Sequence, residues 1–372
     1  MAHIAIDARK YFDFGIGSYI QNLVTALGEL KSPHAFTLFF SPVDAAKVML
    51  PEGWRARESR FKKYSVGEIA LFGRVVRSAR IELLHEPHYT LPMGLRGKSV
   101  VTVHDLIHLK MPEYFSMAQR TYAKLMLGYA VRNAGAVIAV SEKTKQDIVE
   151  TFNVEQDRIH VVHHGIRSIY QKLDDRGAVE EFRRAFGISK PFVLYVGNVK
   201  PHKNIPTLLK AFAKLRTGFN DLELVFAGGS CLADRSLGEQ ARTLGIAGAI
   251  RDVNRLSERD LIRAYNAAEM VVLPSLYEGF GFPALEAMAC GTPLIASNAG
   301  ALAEVVGDAA MMFDPLSPAA LTEAMKTVLS SSEQRAILVA KGKINARRFS
   351  WTTAAQRTLA IYERVLEQCR AR

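Results

Sequence analysis

Residues 270–297 read MVVLPSLYEGFGFPALEAMACGTPLIAS. A short apolar, β-branched run, Met270–Leu273, is followed by a turn rich in glycine, then by GFGFPALEAMA with the pattern of a helix, then by a second apolar run, PLIAS. Short continuous apolar strands alternating with helices read as strands of a parallel sheet covered on both faces. The same alternation runs through the chain: HIAIDA, FTLFF, IELLHEP, SVVTVHD, AVIAVSE and IHVVHHG in the first half, then PFVLYVG, LELVFAGG, AIRDVN, MVVLPS, PLIAS and AMMFD in the second. Two such series predict an α/β protein with two Rossmann-like doubly wound domains. The polar stretch SIYQKLDDRGAVE places the boundary, giving residues 1–170 and 171–354, with a terminal helix over about 355–372 expected to pack back on the first domain.

The chain has 372 residues, more than one ordinary core accommodates, and it is 49% hydrophobic and 23% charged with a mean hydropathy of +0.03. No apolar run has the length needed to span a bilayer, and the opening HIAIDA lacks the basic start and cleavage site of a secretory leader. The expected location is cytoplasmic. Cys231, Cys290 and Cys369 are odd in number and far apart, which speaks against a disulfide framework or a cysteine zinc site.

A net charge of +11 calls for an anionic partner. Much of the excess lies between residues 55 and 80, where Arg55, Arg57, Arg60, Lys62, Lys63, Arg74, Arg77 and Arg80 face only Glu58 and Glu68. Ile69, Phe72, Val76 and Ala79 fall at helical spacing there, so the segment reads either as a basic amphipathic helix on an anionic membrane or as a core-facing helix with a solvated basic back. No zinc-finger spacing, recognition helix or aromatic RNP sequence accompanies the charge, so nucleic acid is not the expected partner.

In open parallel sheets ligands bind beyond the carboxyl ends of the strands, and the loops there hold the chemically suggestive residues. Gly15 and Gly17 open an amphipathic helix after the first strand, either for close approach to a ligand or for a tight turn; Ile20 occupies the third glycine position of a dinucleotide fingerprint. GNVKPHKN carries Lys200, His202 and Lys203, a set suited to phosphate or to a solvated basic turn. In the opening stretch Glu278 and Glu286 lie eight positions apart around Gly279 and Gly281, with Pro283 at the start of the helix. One carboxylate can face a sugar and the other a ribose, with phosphate between them; alternatively both are ordinary helix-end and surface residues.

Taken together, EGFGFPALEAMACGTPLIAS, GIGSYIQNL, VTVHDLIHLKMPEYFS, VIAVSEKTKQDI, VVHHGI and YVGNVKPHKN resemble the retaining, nucleotide-sugar-dependent glycosyltransferases of family 4, which have the GT-B fold. That resemblance implies two Rossmann-like domains facing each other across a cleft, the first for the acceptor and the second for the nucleotide sugar. It implies that Glu278 contacts the donor sugar, that Phe280, Gly281 and Phe282 wrap it, and that Glu286 binds the ribose. Lys203 would neutralise the departing diphosphate, His104 would face the sugar, and Gly15 and Gly17 would close on the phosphates. Relatives commonly carry an arginine where this chain has Asn198, so the second cation would come from His202 or Lys200 or be missing, which would weaken stabilisation of the leaving group. Pro283 has no N–H, which leaves any amide contact there to Phe282 or Ala284.

The resemblance implies transfer with retention, the acceptor entering on the face that the diphosphate leaves. HDLIHLKMPEYFS and VSEKTKQDI are similar to segments of bacterial mannosyltransferases, so GDP-mannose is the expected donor and UDP-sugars the alternative. The acceptor is expected to be a glycan or lipid-linked glycan, with peripheral attachment at the inner face of the membrane through residues 55–80. No Asp-x-Asp pair occurs, and no cofactor or metal is expected. His85, His88, His104, His108, His163 and His164 lack a convincing zinc spacing. A catalytically inactive scaffold of the same fold is the competing class.

Overall fold

The computed structural model describes residues 1–13 and 15–371. The strands of the first half are β1 (His3–Asp7), β2 (Ala35–Phe40), β3 (Arg55–Glu58), β4 (Leu83–Glu86), β5 (Ser99–Val103), β6 (Ala136–Ala139) and β7 (Ile159–Val161). Those of the second are β8 (Phe192–Gly197), β9 (Glu223–Gly228), β10 (Ile250–Asn254), β11 (Met270–Leu273), β12 (Leu294–Ser297) and β13 (Met311–Phe313). Among the described residues they form two sheets, ordered β3-β2-β1-β4-β5-β6-β7 and β10-β9-β8-β11-β12-β13. Every strand pair is parallel.

Both sheets are doubly wound. The chain builds outward from β1 to β3, returns to the far side of β1 with β4, and continues the other way; β8 and β11 repeat the manoeuvre. At each reversal the two strand-end loops diverge and leave a crevice. Burial on both faces accounts for the continuous apolar runs: along β8, Phe192 and Leu194 enter one core and Val193 and Tyr195 the other.

The chain divides into two compact units, residues 1–165 with 350–372, and residues 166–349. The stretch 168–180 packs entirely within the second unit, with Tyr170, Leu173 and Val179 against the core that contains Phe182 and Tyr265. The terminal helix, Trp351–Arg370, belongs to the first unit, where it packs on the helix Ile16–Glu29. Its Tyr362 hydroxyl lies 2.5 Å from His85 Nδ1.

Residues 55–80 depart from the amphipathic membrane helix considered above. Arg55–Glu58 form β3, an exposed edge strand whose charges discourage pairing with another sheet. The helix itself spans Val66–Ser78, and its apolar face is already used: Phe72 and Val76 are buried in the first unit's core. Glu68 is buried as well and accepts from Arg9, while Arg74 and Arg80 face solvent. The segment is a core-facing helix with a solvated basic back.

Candidate active site

In the second unit β8 and β11 are neighbours, pairing Met270 with Val193 and Val271 with Leu194, so the loops after them leave the sheet side by side. This adjacency brings together two residues 75 positions apart: Lys203 Nζ lies 2.5 Å from Glu278 Oε1. Ser275 donates to the same oxygen at 2.7 Å. The loops are tied through their backbones, Leu276 N–H donating to His202 O at 2.8 Å. Asn204, in the left-handed region at φ +56°, donates from Nδ2 to Pro274 O and Pro315 O at 3.0 and 2.8 Å.

Burial alone would push the Glu278 carboxyl up. The Lys203 charge, hydrogen bonds from Lys203 and Ser275, and the nearby His202 outweigh it, and the carboxyl is held below its ordinary value. Glu278 is therefore ionised at neutral pH. Its backbone is held from behind: a Cβ on Gly300, which sits at φ +60°, would lie 2.6 Å from Glu278 N and 2.7 Å from its O. Ala301 N–H donates to the Glu278 carbonyl at 2.9 Å.

Gly281 ends this loop in the left-handed region, φ +102°, and caps the helix Phe282–Ala289. Phe280 is buried and its ring meets Phe282 edge-on, with centroids 5.7 Å apart. Ala284 N–H is spent on Gly281 O at 3.0 Å, so of the two amides left beside Pro283 one already has an acceptor. Glu286, a turn further on, accepts from Tyr265 OH at 2.6 Å and from the Tyr170 hydroxyl. Burial raises its carboxyl to about 7 in spite of these two bonds. Asn198 is exposed; its carbonyl accepts from Tyr195 OH at 2.5 Å, and its Oδ1 accepts from Lys200 N–H at 3.3 Å. His202 is buried beneath this loop, while Lys200 is exposed.

Gly15, Gly17 and His104 belong to the first unit. Gly15 caps the helix Ile16–Glu29 with open space around it, whereas a Cβ on Gly17 would lie 2.5 Å from Tyr11 O, so Gly17 serves close packing of the helix on the β1 loop. His104 Nε2 lies 2.9 Å from the Pro87 carbonyl. A carbonyl only accepts, so Nε2 carries the proton, and because burial lowers the ring's pKa the imidazole is neutral with Nδ1 as an acceptor. At the reversal between β1 and β4, Arg9 is buried and gives Nε to Asp7 Oδ1 at 2.8 Å and Nη2 to Glu68 Oε1 at 2.7 Å.

The model for glycosyl transferases group 1 matches residues 178–344, and that for glycosyltransferase family 4 matches residues 15–168. The chain is 30% identical to the O-antigen chain mannosyltransferase B of Escherichia coli over 77% of its own length and 76% of that protein's. It is a family 4 glycosyltransferase. A further relative, the D-inositol 3-phosphate glycosyltransferase of Corynebacterium glutamicum (strain R), is 32% identical over 62% of this chain and 58% of that one. The fold is GT-B, and Anabaena Alr3699/HepE, solved in complex with UDP and glucose, shares it: TM-score 0.76, 19% identity, 97% of this chain and 99% of that one covered.

In this glycosyltransferase the sequence pattern singled out both members of the Lys203–Glu278 pair but missed what positions them. Ser275 stands three residues before Glu278 in the quoted stretch, and Asn204 directly precedes Ile205-Pro206, the start of a helix; both were legible as polar residues at element ends. Tyr170, Tyr265 and Gly300 carry no local signal.

Proposed function

We propose that this glycosyltransferase is a retaining, metal-independent hexosyltransferase that moves mannose from GDP-mannose to an acceptor hydroxyl in the synthesis of a cell-envelope polysaccharide or glycolipid. The observation that carries the reading is the Lys203–Glu278 pair at the reversal of the second sheet, beside the Gly281 cap. An ammonium and an ionised carboxylate 2.5 Å apart offer a counter-charge for a diphosphate and an acceptor for sugar hydroxyls from a single rigid corner.

In this reading Glu278 accepts hydrogen bonds from hydroxyls of the sugar, Phe280, Gly281 and Phe282 surround it, and Glu286 accepts from the ribose. The first unit, residues 1–165 with 350–372, takes the acceptor. The bond from the anomeric carbon to the phosphate oxygen breaks, its electron pair stays on that oxygen, and Lys203 stabilises the charge. The acceptor oxygen forms its bond to the anomeric carbon on the same face, and its proton passes to the departing phosphate oxygen. The protein acts by positioning and by charge placed in advance. Asn198 supplies no charge, so the diphosphate is neutralised mainly by Lys203, with the exposed Lys200 nearer solvent.

The assay is donor turnover without added acceptor, with the released sugar followed by proton NMR: retention delivers the α-anomer of mannose first, and initial appearance of the β-anomer would end the reading. A UDP-sugar donor is the second possibility, favoured by the UDP complex of the HepE protein, and the same assay with UDP-glucose separates the two.

No helix among the described residues is long and apolar enough to cross a membrane. We propose that contact with the inner leaflet is electrostatic, made by Arg55, Arg57, Arg74 and Arg80, since the helix's apolar face is spent on the core. Flotation with anionic vesicles that is unchanged when Arg74 and Arg80 are both replaced by glutamate would remove that part.

A further inference from the structure

The first unit has a concavity of about 380 Å³ at the end of the sheet opposite the loops described above. Its floor is made by the segments that enter β5, β6 and β7, and its wall by the last turns of the helix Trp351–Arg370. A strand of five residues, the length of β5, spans roughly 15 Å, so the concavity is well separated from His104 at the other end.

Four arginines converge on it: Arg96, Arg132, Arg158 and Arg364. Asp157 is the one carboxylate in the lining, which leaves a formal excess of three positive charges. Among the described residues none of the four guanidinium groups has a carboxylate within ion-pair distance.

Two of them are fixed in place. Arg158 Nη2 donates to Ala134 O at 2.5 Å, just past the carboxyl end of the helix Met117–Asn133, and so covers the negative end of that helix. Arg132 donates from Nη1 to Gly128 O at 3.2 Å and from Nη2 to Phe152 O at 3.1 Å. Neither interaction neutralises the cation. Arg96 and Arg364 line it from exposed positions. His160, also in the lining, reports the local field: burial lowers its pKa first, then Arg364 and Lys145, against Asp157.

We propose that this concavity is a binding site for a diphosphate group, held by the four arginines and separate from the site at Lys203. The volume lies in the range of small-ligand sites, and planar guanidinium groups bind phosphate oxygens in pairs. A free nucleoside diphosphate and the headgroup of a lipid diphosphate share this chemistry. The proposal is independent of the donor and of the reaction assigned above.

Cys369 supplies a reporter. It lines the concavity, partly accessible, with Sγ 3.2 Å from Gly97 O. Cys231 and Cys290 are buried, and burial pushes both thiols up to about 12, so a maleimide reacts at Cys369 first.

The experiment uses inorganic pyrophosphate and the full chain carrying Lys203→Ala, which removes the competing cation of the second unit. The expected result is calorimetric binding that weakens by about tenfold or more when Arg96→Ala and Arg364→Ala are added. Pyrophosphate should also slow maleimide labelling of Cys369, and this protection should vanish in the same variants. Both substitutions are at exposed positions, and circular dichroism checks the fold. Equal affinity with and without the two arginines, or labelling that pyrophosphate leaves unchanged, overturns the proposal. Flotation with phosphatidylcholine vesicles containing diacylglycerol pyrophosphate then distinguishes the sources: arginine-dependent flotation assigns the lipid headgroup, and none assigns the soluble diphosphate.

Discussion

Replacing Tyr265 by phenylalanine isolates the role of Glu286. The Tyr265 hydroxyl lies 2.6 Å from Glu286 Oε2, and the ring is fully buried, so the substitution removes one donor and little volume. A hydrogen bond to a charged group contributes about 1.5–3 kcal/mol, and one pKa unit corresponds to about 1.4 kcal/mol. This bond lowers the pKa of Glu286, which stands at about 7, so losing it raises the carboxyl by roughly one unit or more. At pH 7 the ionised fraction then falls from about half to about a tenth. If the carboxylate accepts from ribose hydroxyls, that part of the affinity falls about fivefold. The assay is calorimetry of GDP and 2′,3′-dideoxy-GDP from about pH 6 to pH 9; their ratio cancels the titration of the phosphate itself, whose own pKa is about 6. The preference for GDP should grow with pH in the wild type, and its midpoint should move upward in Tyr265→Phe. A ratio that is flat with pH, or one that the substitution leaves alone, excludes Glu286 as the ribose acceptor; an equal loss for both nucleotides makes Tyr265 merely structural.

Lys203→Met removes one of the two side chains that donate to Glu278, leaving Ser275, and removes the counter-charge of the leaving group; steady-state kinetics should show kcat down by about 10²–10³ with a smaller change in KM. Gly300→Ala forces a Cβ to 2.6 Å from Glu278 N at a positive φ, and thermal unfolding should register a loss of about 2–4 kcal/mol together with lower activity. Removing divalent metal with a chelator should leave donor turnover unchanged, because Lys203 carries the diphosphate charge in this account; a loss restored by magnesium would count against it.

The parallel, doubly wound architecture was legible because each buried strand is a short apolar run set off by turn residues, as in Met270–Leu273 and Leu294–Ser297. β3 was not legible, since Arg-Ala-Arg-Glu on an exposed edge has nothing apolar to announce it. The helix at 66–78 shows the limit of periodicity: spacing marks an apolar face but not what covers it, and here Phe72 and Val76 meet their own core. Within the site, Glu278, Glu286 and Lys203 stood out by residue type near glycine turns. Their contacts depend on β8 lying beside β11, a tertiary fact, and for that reason the 2.5 Å ion pair and the tyrosines around Glu286 were out of reach. Gly300 is dictated by the backbone of Glu278, which sequence spacing does not encode.

In the proposed reading the second unit binds a nucleoside diphosphate between Lys203 and Glu286. Calorimetric titration of GDP, UDP and ADP, in the presence of a chelator, into the wild type, Lys203→Ala and Glu286→Ala tests it most directly. The expected result is selective binding of GDP that each substitution weakens by about tenfold or more. Binding of none of the three, or binding indifferent to both substitutions, would contradict it.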